Sequence, residues 1–191
     1  VYKRQPLSAE PEKRGVLCFD VNEQGLIAIG QTGSQDKEIC VYTSQGEFLY
    51  GYTFNCTQSF CVEWDEQHVN IYFIRSDVII SLDSDGNILD IKAVQDTIDN
   101  NSYRNSLLYS TTRTVGNTTY LIRNDMGIFN WIATSYSQIV TIDATGSESI
   151  IYDVNSMQLT KTIVTISLIC VFVFVAVAVV IWQFIKLRRG N

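Results

Sequence analysis

Residues 162–185 read TIVTISLICVFVFVAVAVVIWQFI, 24 positions without a charge. A helix of that length reaches about 36 Å, enough to cross a hydrocarbon core of ~30 Å with some tilt. A helix on the surface of a globular domain keeps a polar face, and this stretch has none. It is therefore expected to be a single transmembrane α-helix, and the residues before it must fold as an aqueous domain. Lys186, Arg188 and Arg189 follow the span directly, whereas Lys161 alone stands just before it. Cytoplasmic flanks are enriched in Lys and Arg, so these three residues set the orientation: residues 186–191 form a basic cytoplasmic tail and the large domain lies outside. All 20 acidic residues precede the span, and positions 6–161 carry nine basic residues against them, a net of −11. Such a domain is a poor partner for nucleic acid or anionic lipid heads.

Within the domain the sequence repeats itself. CFDVNEQGLIAI, from Cys18, faces CVEWDEQHVNIY, from Cys61, at an offset of 43, and ICVYTSQGEFL faces IISLDSDGNIL at an offset of 40. IVTIDATGSESI, from Ile139, is a third copy, and IYFIR at Ile71 returns as TYLIR at Thr119. Offsets of 40 to 50 residues are those of propeller blades and similar arrays. Each copy alternates short apolar–polar stretches with turn residues, the pattern of antiparallel strands. The predicted strands are 16–21, 26–31, 38–43 and 48–54; then 60–65, 69–75, 78–83 and 88–94; then 107–113, 118–124, 138–143 and 149–154. The two prolines, Pro6 and Pro11, are expected to precede the sheets and leave every ladder intact.

The hairpins ICVYTSQGEFL, IISLDSDGNIL and IVTIDATGSES resemble the third-to-fourth strand hairpin of β-propeller repeats of the NHL and quinoprotein-like kind. The resemblance implies an all-β fold of about three four-stranded blades (16–54, 60–94 and 107–154), part of a larger propeller, followed by the C-terminal helix. It departs from those families in lacking a Trp–Asp dipeptide and any quinone-site signature, so their activities do not transfer. The start, VYKRQ, is what GTG TAT AAG AGA CAG encodes, the end of a transposase sequencing adapter. Residues 1–5 are accordingly expected to be a non-native scar on a truncated gene, with 6–15 a polar lead-in and 155–161 a juxtamembrane linker.

Candidate sites are few. Asp83 and Asp85 suggest hard-cation ligands, but the other copies place TSQG and DATG there, which points to a hairpin turn with glycine at positive φ. His68 is the one histidine, at a turn between strands, so this chain by itself supplies no His-based triad or His-rich metal site. Glu63 and Asp65 are expected on one strand face, a spacing acid–base chemistry can use. Cys18, Cys40, Cys56 and Cys61 read as structural, with Cys56 and Cys61 near enough in sequence to bridge a loop; Cys18 and Cys61 could lie too far apart to join. No cofactor or metal site is indicated. The segment 125–136, DMGIFNWIATSY, is an insertion in the third copy. Its Phe129, Trp131 and Tyr136 either extend two strands and fill the core, or form a binding or membrane-interface loop. Residues 95–104 read as an exposed loop. The function expected is a membrane-anchored, extracytoplasmic binding or assembly module whose partners are the bilayer and a protein or small molecule on blade loops. The alternatives are a fragment of a propeller hydrolase or lyase, and a cytoplasmic sensor domain.

Overall fold

The computed structural model describes residues 4–32 and 36–189. The chain divides into two compact units, Val1–Asn155 and Ser156–Asn191. The first unit is built of three antiparallel sheets. One contains β1 (Arg4–Pro6), β2 (Val16–Val21), β3 (Ile27–Thr32), β4 (Lys37–Tyr42) and β5 (Phe48–Phe54), in the order β1-β5-β4-β3-β2. The next is a meander of β6 (Phe60–Asp65), β7 (His68–Phe73), β8 (Val78–Leu82) and β9 (Ile88–Ala93). After α1 (Ile98–Tyr109) comes a second meander of β10 (Thr112–Val115), β11 (Thr118–Arg123), β12 (Gln138–Ile142) and β13 (Glu148–Asp153).

The expected strands occur within a residue or two with one exception, and one expected loop is partly helical. Residues 107–109, predicted to open the third copy's first strand, end α1 instead, and β10 starts at Thr112. The polar stretch 95–104, predicted as a loop, enters that helix at Thr97, whose Oγ1 accepts from the Asn100 N–H at 3.2 Å. Asn, Ser and Tyr are weak helix formers and α1 has no apolar face that periodicity would reveal. It is held by docking: Arg104 binds Asp77 Oδ1 at 2.6 Å, and Leu107 and Leu108 pack on the core. Pro6, predicted ahead of the sheets, lies in the edge strand β1 opposite Tyr52, where its missing N–H costs no ladder bond. Arg4 and Gln5 of the expected scar belong to the same strand, while residues 1–3 lie outside the described residues.

The first sheet is packed on both faces. Ile39 and Val41 of β4, with Tyr52 and Phe54 of β5, join Phe60, Val62, Ile71 and Phe73 of the second sheet in one apolar cluster. Phe54 makes edge-to-face contacts with Phe60 (5.2 Å) and Phe73 (5.6 Å). Tyr42, on the opposite face of β4, makes an edge-to-face contact with Tyr152 of the third sheet at 5.5 Å. The Tyr152 hydroxyl lies 2.8 Å from Gln31 Oε1, which gives that fully buried amide a partner. Val16 and Tyr136 exchange backbone hydrogen bonds of 2.7 and 2.9 Å, a single bridge from the first sheet to the chain entering β12.

The three third-to-fourth strand hairpins are hydrogen-bonded alike. The N–H groups of Gly46, Gly86 and Gly146 donate to the carbonyls of Thr43, Asp83 and Asp143, each at 3.0 Å. In each, the side-chain oxygen at the first position accepts the N–H four residues on, from Glu47, Asn87 and Ser147. All three glycines have φ near 80°, a conformation that a side chain disfavours. The Asp83 region is thus a turn.

The second unit belongs to one helix, α2 (Asn155–Arg189), 35 residues long. It is long and apolar enough to cross a membrane. Residues 155–161, expected to be a linker, are its first turns, and Lys186, Arg188 and Arg189 are still helical. Gly190 and Asn191 of the expected tail lie outside the described residues.

Candidate functional site

Three hairpins of separate sheets, all joining a first strand to a second, meet at one end of the β-domain. They are the β2–β3 turn (Val21, Asn22, Glu23, Gln24), the β6–β7 turn (Glu66, Gln67) beside Trp64, and the β10–β11 turn at Thr114, Val115 and Gly116. Together they line an open funnel of about 790 Å³. The lining holds two carboxylates, three amides and one indole, with no basic residue. Asn22 is committed to the turn, its Oδ1 accepting the N–H groups of Gln24 (3.1 Å) and Leu26 (2.8 Å). Glu23, Gln24, Glu66 and Gln67, with the Thr114 hydroxyl, are therefore the polar side chains this rim can offer.

Glu66 stands in an unusual backbone state. Asp65 pairs with His68 and Val115 pairs with Thr118, so each hairpin closes on two residues. In both, the first of the two has φ = 56°; the third sheet uses Gly116 there and the second sheet uses Glu66. A left-handed conformation costs a residue with a Cβ on the order of 1 kcal/mol.

Beneath the funnel, one carboxylate joins the three first strands. Asp20 of β2 is buried; its Oδ1 accepts from Arg113 Nε of β10 at 2.7 Å, and its Oδ2 accepts from the Trp64 N–H of β6 at 2.7 Å. Arg113 also lies over the Phe19 ring, 5.4 Å from its centroid, and donates to the Leu107 carbonyl at the end of α1. Glu63 is the residue of β6 that corresponds to Asp20. Its two oxygens accept the Tyr72 hydroxyl at 2.7 Å and the Tyr103 hydroxyl. Burial, followed by this hydrogen bond, holds both phenols above the ordinary tyrosine range.

Glu63 and Asp65 do share a face, and with His68 they line a second cleft of about 480 Å³ on the second sheet. Each oxygen of Glu63 already accepts one phenol hydroxyl, which leaves one lone pair on each for a further donor. Among the described residues the five cysteines are free thiols. Cys56, expected within reach of Cys61, instead directs its Sγ to the Gln58 carbonyl at 3.6 Å. Burial pushes the Cys40 and Cys61 thiols up to about 12, with Glu38 and Glu63 adding to the effect, and raises Cys18 as well. These are packing groups, since a thiol needs a lowered pKa to react.

The insertion 125–136 neither extends strands nor fills the core as a whole. It forms a 3₁₀ helix, Gly127–Ile132, behind the buried Met126. Phe129 and Tyr136 are half-buried, and the Tyr136 backbone is occupied by its bridge to Val16. Trp131 is 84% exposed, and Ile128, which sequence reasoning passed over, is 78% exposed. In the second unit, Lys186 Nζ lies 5.5 Å from the Trp182 ring centroid, one helical turn away. Lys186 and Arg189 are exposed.

Sequence reasoning missed the funnel residues Glu23, Gln24, Glu66 and Gln67. A signal was present, because the offset of 43 lays the first of these turns over the second. Nothing in the sequence said that the third would join them. The chain matches no known protein family, and a comparison with curated proteins gives no match either.

Proposed function

We propose that this chain is a membrane-anchored, extracytoplasmic binding module: α2 is the anchor, and three propeller-type blades hold a small polar ligand in the funnel at their inner hairpins. The observation that carries this reading is the convergence of three corresponding turns, one from each sheet, on a single open cavity. Pockets built from several loops on a rigid scaffold suit binding, because the scaffold fixes the loops before the ligand arrives. The chemistry of the rim narrows the ligand. Two carboxylates, free amides and an indole face favour hydroxyl-rich or amine-bearing molecules and disfavour anions. Glu66 supports a functional rim as well, since a glycine in its place would relieve the backbone, as Gly116 does in the third sheet.

The outward placement rests on the three basic residues that follow the uncharged span. The native thiols are poor reporters of it, being buried or within α2. Ser84, on an exposed turn, is the better position. A Ser84→Cys chain in intact cells should react with a membrane-impermeant maleimide where the native chain does not. Labelling of the variant only after lysis would reject the outward placement and favour the cytoplasmic sensor reading.

Ligand binding is tested by thermal shift with a panel of polyols, sugars and primary amines. A compound that stabilises the native chain should lose at least about ten-fold in affinity with Glu66→Gly, the size expected for removing one charge-assisted hydrogen bond. The same variant without ligand should be more stable by about 1 kcal/mol, because the left-handed backbone no longer carries a Cβ. Binding unchanged by Glu66→Gly would move the site away from the funnel.

A further inference from the structure

We infer that β9 is a self-association edge: two copies of this chain join their second sheets through antiparallel β9 strands centred on Ile91. Every residue of β9 is exposed, and Ile88, Leu89 and Ile91 stand at 46%, 50% and 58% exposure. An apolar edge with open backbone groups is a template for another strand. The corresponding strand of the first sheet already has one. β5 and β9 each follow the shared hairpin, and β5 carries β1 on its outer side, whereas β9 ends its sheet.

The ladders show which backbone groups are open. Gly51 pairs with Cys40 as Ile91 pairs with Ile80, so the two occupy corresponding positions. The Gly51 carbonyl faces outward and accepts the Leu7 N–H at 2.9 Å. Within an antiparallel ladder a residue's N–H and carbonyl point to the same side, so those of Ile91 face outward as well. With no strand beside it, the Ile91 N–H takes Oδ1 of its own neighbour Asp90 at 2.8 Å. A second β9 laid antiparallel, Ile91 opposite Ile91, replaces that bond with a reciprocal pair of N–H to carbonyl bonds.

Charge selects a second copy as the occupant. In this register Asp90 of each copy stands opposite Lys92 of the other, at the non-hydrogen-bonded positions where cross-strand side chains come closest. Among the described residues neither Asp90 nor Lys92 makes an ion pair within its own chain. The sequence Asp90-Ile91-Lys92 is thus complementary to itself when read antiparallel. β13, the open edge of the third sheet, is not. Its ESIIYD holds Glu148 and Asp153 and no base, so pairing it with itself about its centre sets acid opposite acid.

The test uses the full chain in density-matched detergent micelles, with Cys170→Ser to remove the exposed thiol of α2. Sedimentation equilibrium should show a dimer. Ile91→Cys should oxidise to a covalent dimer, because Cα atoms in such a pair lie about 5.5 Å apart. Ala93→Cys should not, since in this register the two copies of residue 93 are about 14 Å apart along the strands. Asp90→Lys sets lysine opposite lysine twice and should weaken association by about ten-fold or more, and adding Lys92→Asp should restore it. These positions are all exposed, so none of the changes reaches the core. A chain that stays monomeric at every concentration overturns the inference. So does a dimer indifferent to Asp90→Lys, which would be held elsewhere. Equal cross-linking at 91 and 93, or no recovery in the doubly reversed chain, overturns the register and the inference with it.

Discussion

The first and third sheets carry the same hairpin hydrogen bonds and yet read differently as sequence. β2, β3 and β4 of the first sheet, VLCFDV, IAIGQT and KEICVY, are close to continuous apolar runs and are buried for most of their length. β10 of the third sheet is TRTV, alternating exposed and half-buried. The strands that follow the shared hairpins contrast as sharply: β5 is flanked by β1, and its Gly51, Tyr52 and Phe54 are buried, whereas β9 is an edge of the second sheet and is exposed at every residue. The first sheet is packed on both faces, and a strand buried on both faces has no reason to alternate. Turn chemistry makes these sheets alike, and neighbours make them different.

The largest test of that contrast removes the group that joins the three first strands. Asp20→Ala removes a buried carboxylate and leaves the half-buried Arg113 without it, so the cost should approach the lower end of that for breaking a buried ion pair on one side, about 3 kcal/mol. Urea denaturation of the full chain in detergent micelles measures it. Replacing both partners with apolar residues should recover most of the loss, since no orphan charge remains. A cost below about 1 kcal/mol for Asp20→Ala would place this pair in the class of exposed ones.

Next in size is a position where the first sheet has no room. Cys18 pairs across its ladder with Gly30, while Cys61, its counterpart, pairs with Tyr72. A Cβ on Gly30 would meet Cys18 Sγ at 2.5 Å and Phe60 Cε2 at 2.8 Å. Gly30→Ala should therefore destabilise by about 1–3 kcal/mol, the range of an overpacked core. Adding Cys18→Ala should return part of it, a coupling that a double-mutant cycle reads directly.

Alkaline pH probes the buried groups together. Cys18, Cys40 and Cys61 have folded pKa values raised above the thiol reference of 9.0, and Tyr42, Tyr52 and Tyr152 are raised above the phenol reference of 10.0, with burial the leading cause for each. The unfolded chain then releases protons first as pH rises. Stability should be flat up to about pH 8 and fall progressively above 9, through the values near 12 at which Cys40 and Cys61 ionise in the fold. Urea midpoints measured from about pH 7 to 11 check the onset; a flat profile across that range would mean that these groups are as solvated folded as unfolded.

The smallest effect belongs to the third sheet. Arg123 and Glu148 are paired at 3.0 Å, only slightly longer than the 2.7 Å of Asp20 and Arg113, but their side chains are 37% and 48% exposed. Arg123→Ala should cost about 0.5 kcal/mol or less, and less still with added salt, because mobile ions screen an exposed pair. The same denaturation assay measures it. A loss comparable with that of Asp20→Ala would remove the distinction drawn between the two sheets.

The strand positions were legible because they depend on local chemistry: alternation, β-branched and aromatic residues, and turns with glycine at positive φ. Thr43, Asp83 and Asp143 announce their hairpins through side chains that bond the backbone a few residues on. The uncharged span was legible for the same reason, as length and hydropathy are properties of a segment by itself. Residues 98–109 were not, since a polar helix with weak formers exists only where Arg104, Leu107 and Leu108 find their partners. Trp131 could be noticed as an aromatic residue in an insertion, but its exposure, and that of Ile128, depends on how the insertion folds.

What the sequence determined by itself was therefore the twelve strands of the three meanders to within a few residues, the shared hairpins and one helix fit to cross a membrane. Which sheet would be packed on both faces, and which turns would meet around a funnel, was decided in the tertiary structure. The physical reason is separation along the chain. Asp20 and Arg113 are 93 residues apart, and Arg14 and Tyr152 are 138 apart. No local preference encodes such pairs; they form when burial of the first sheet brings its neighbours to both faces.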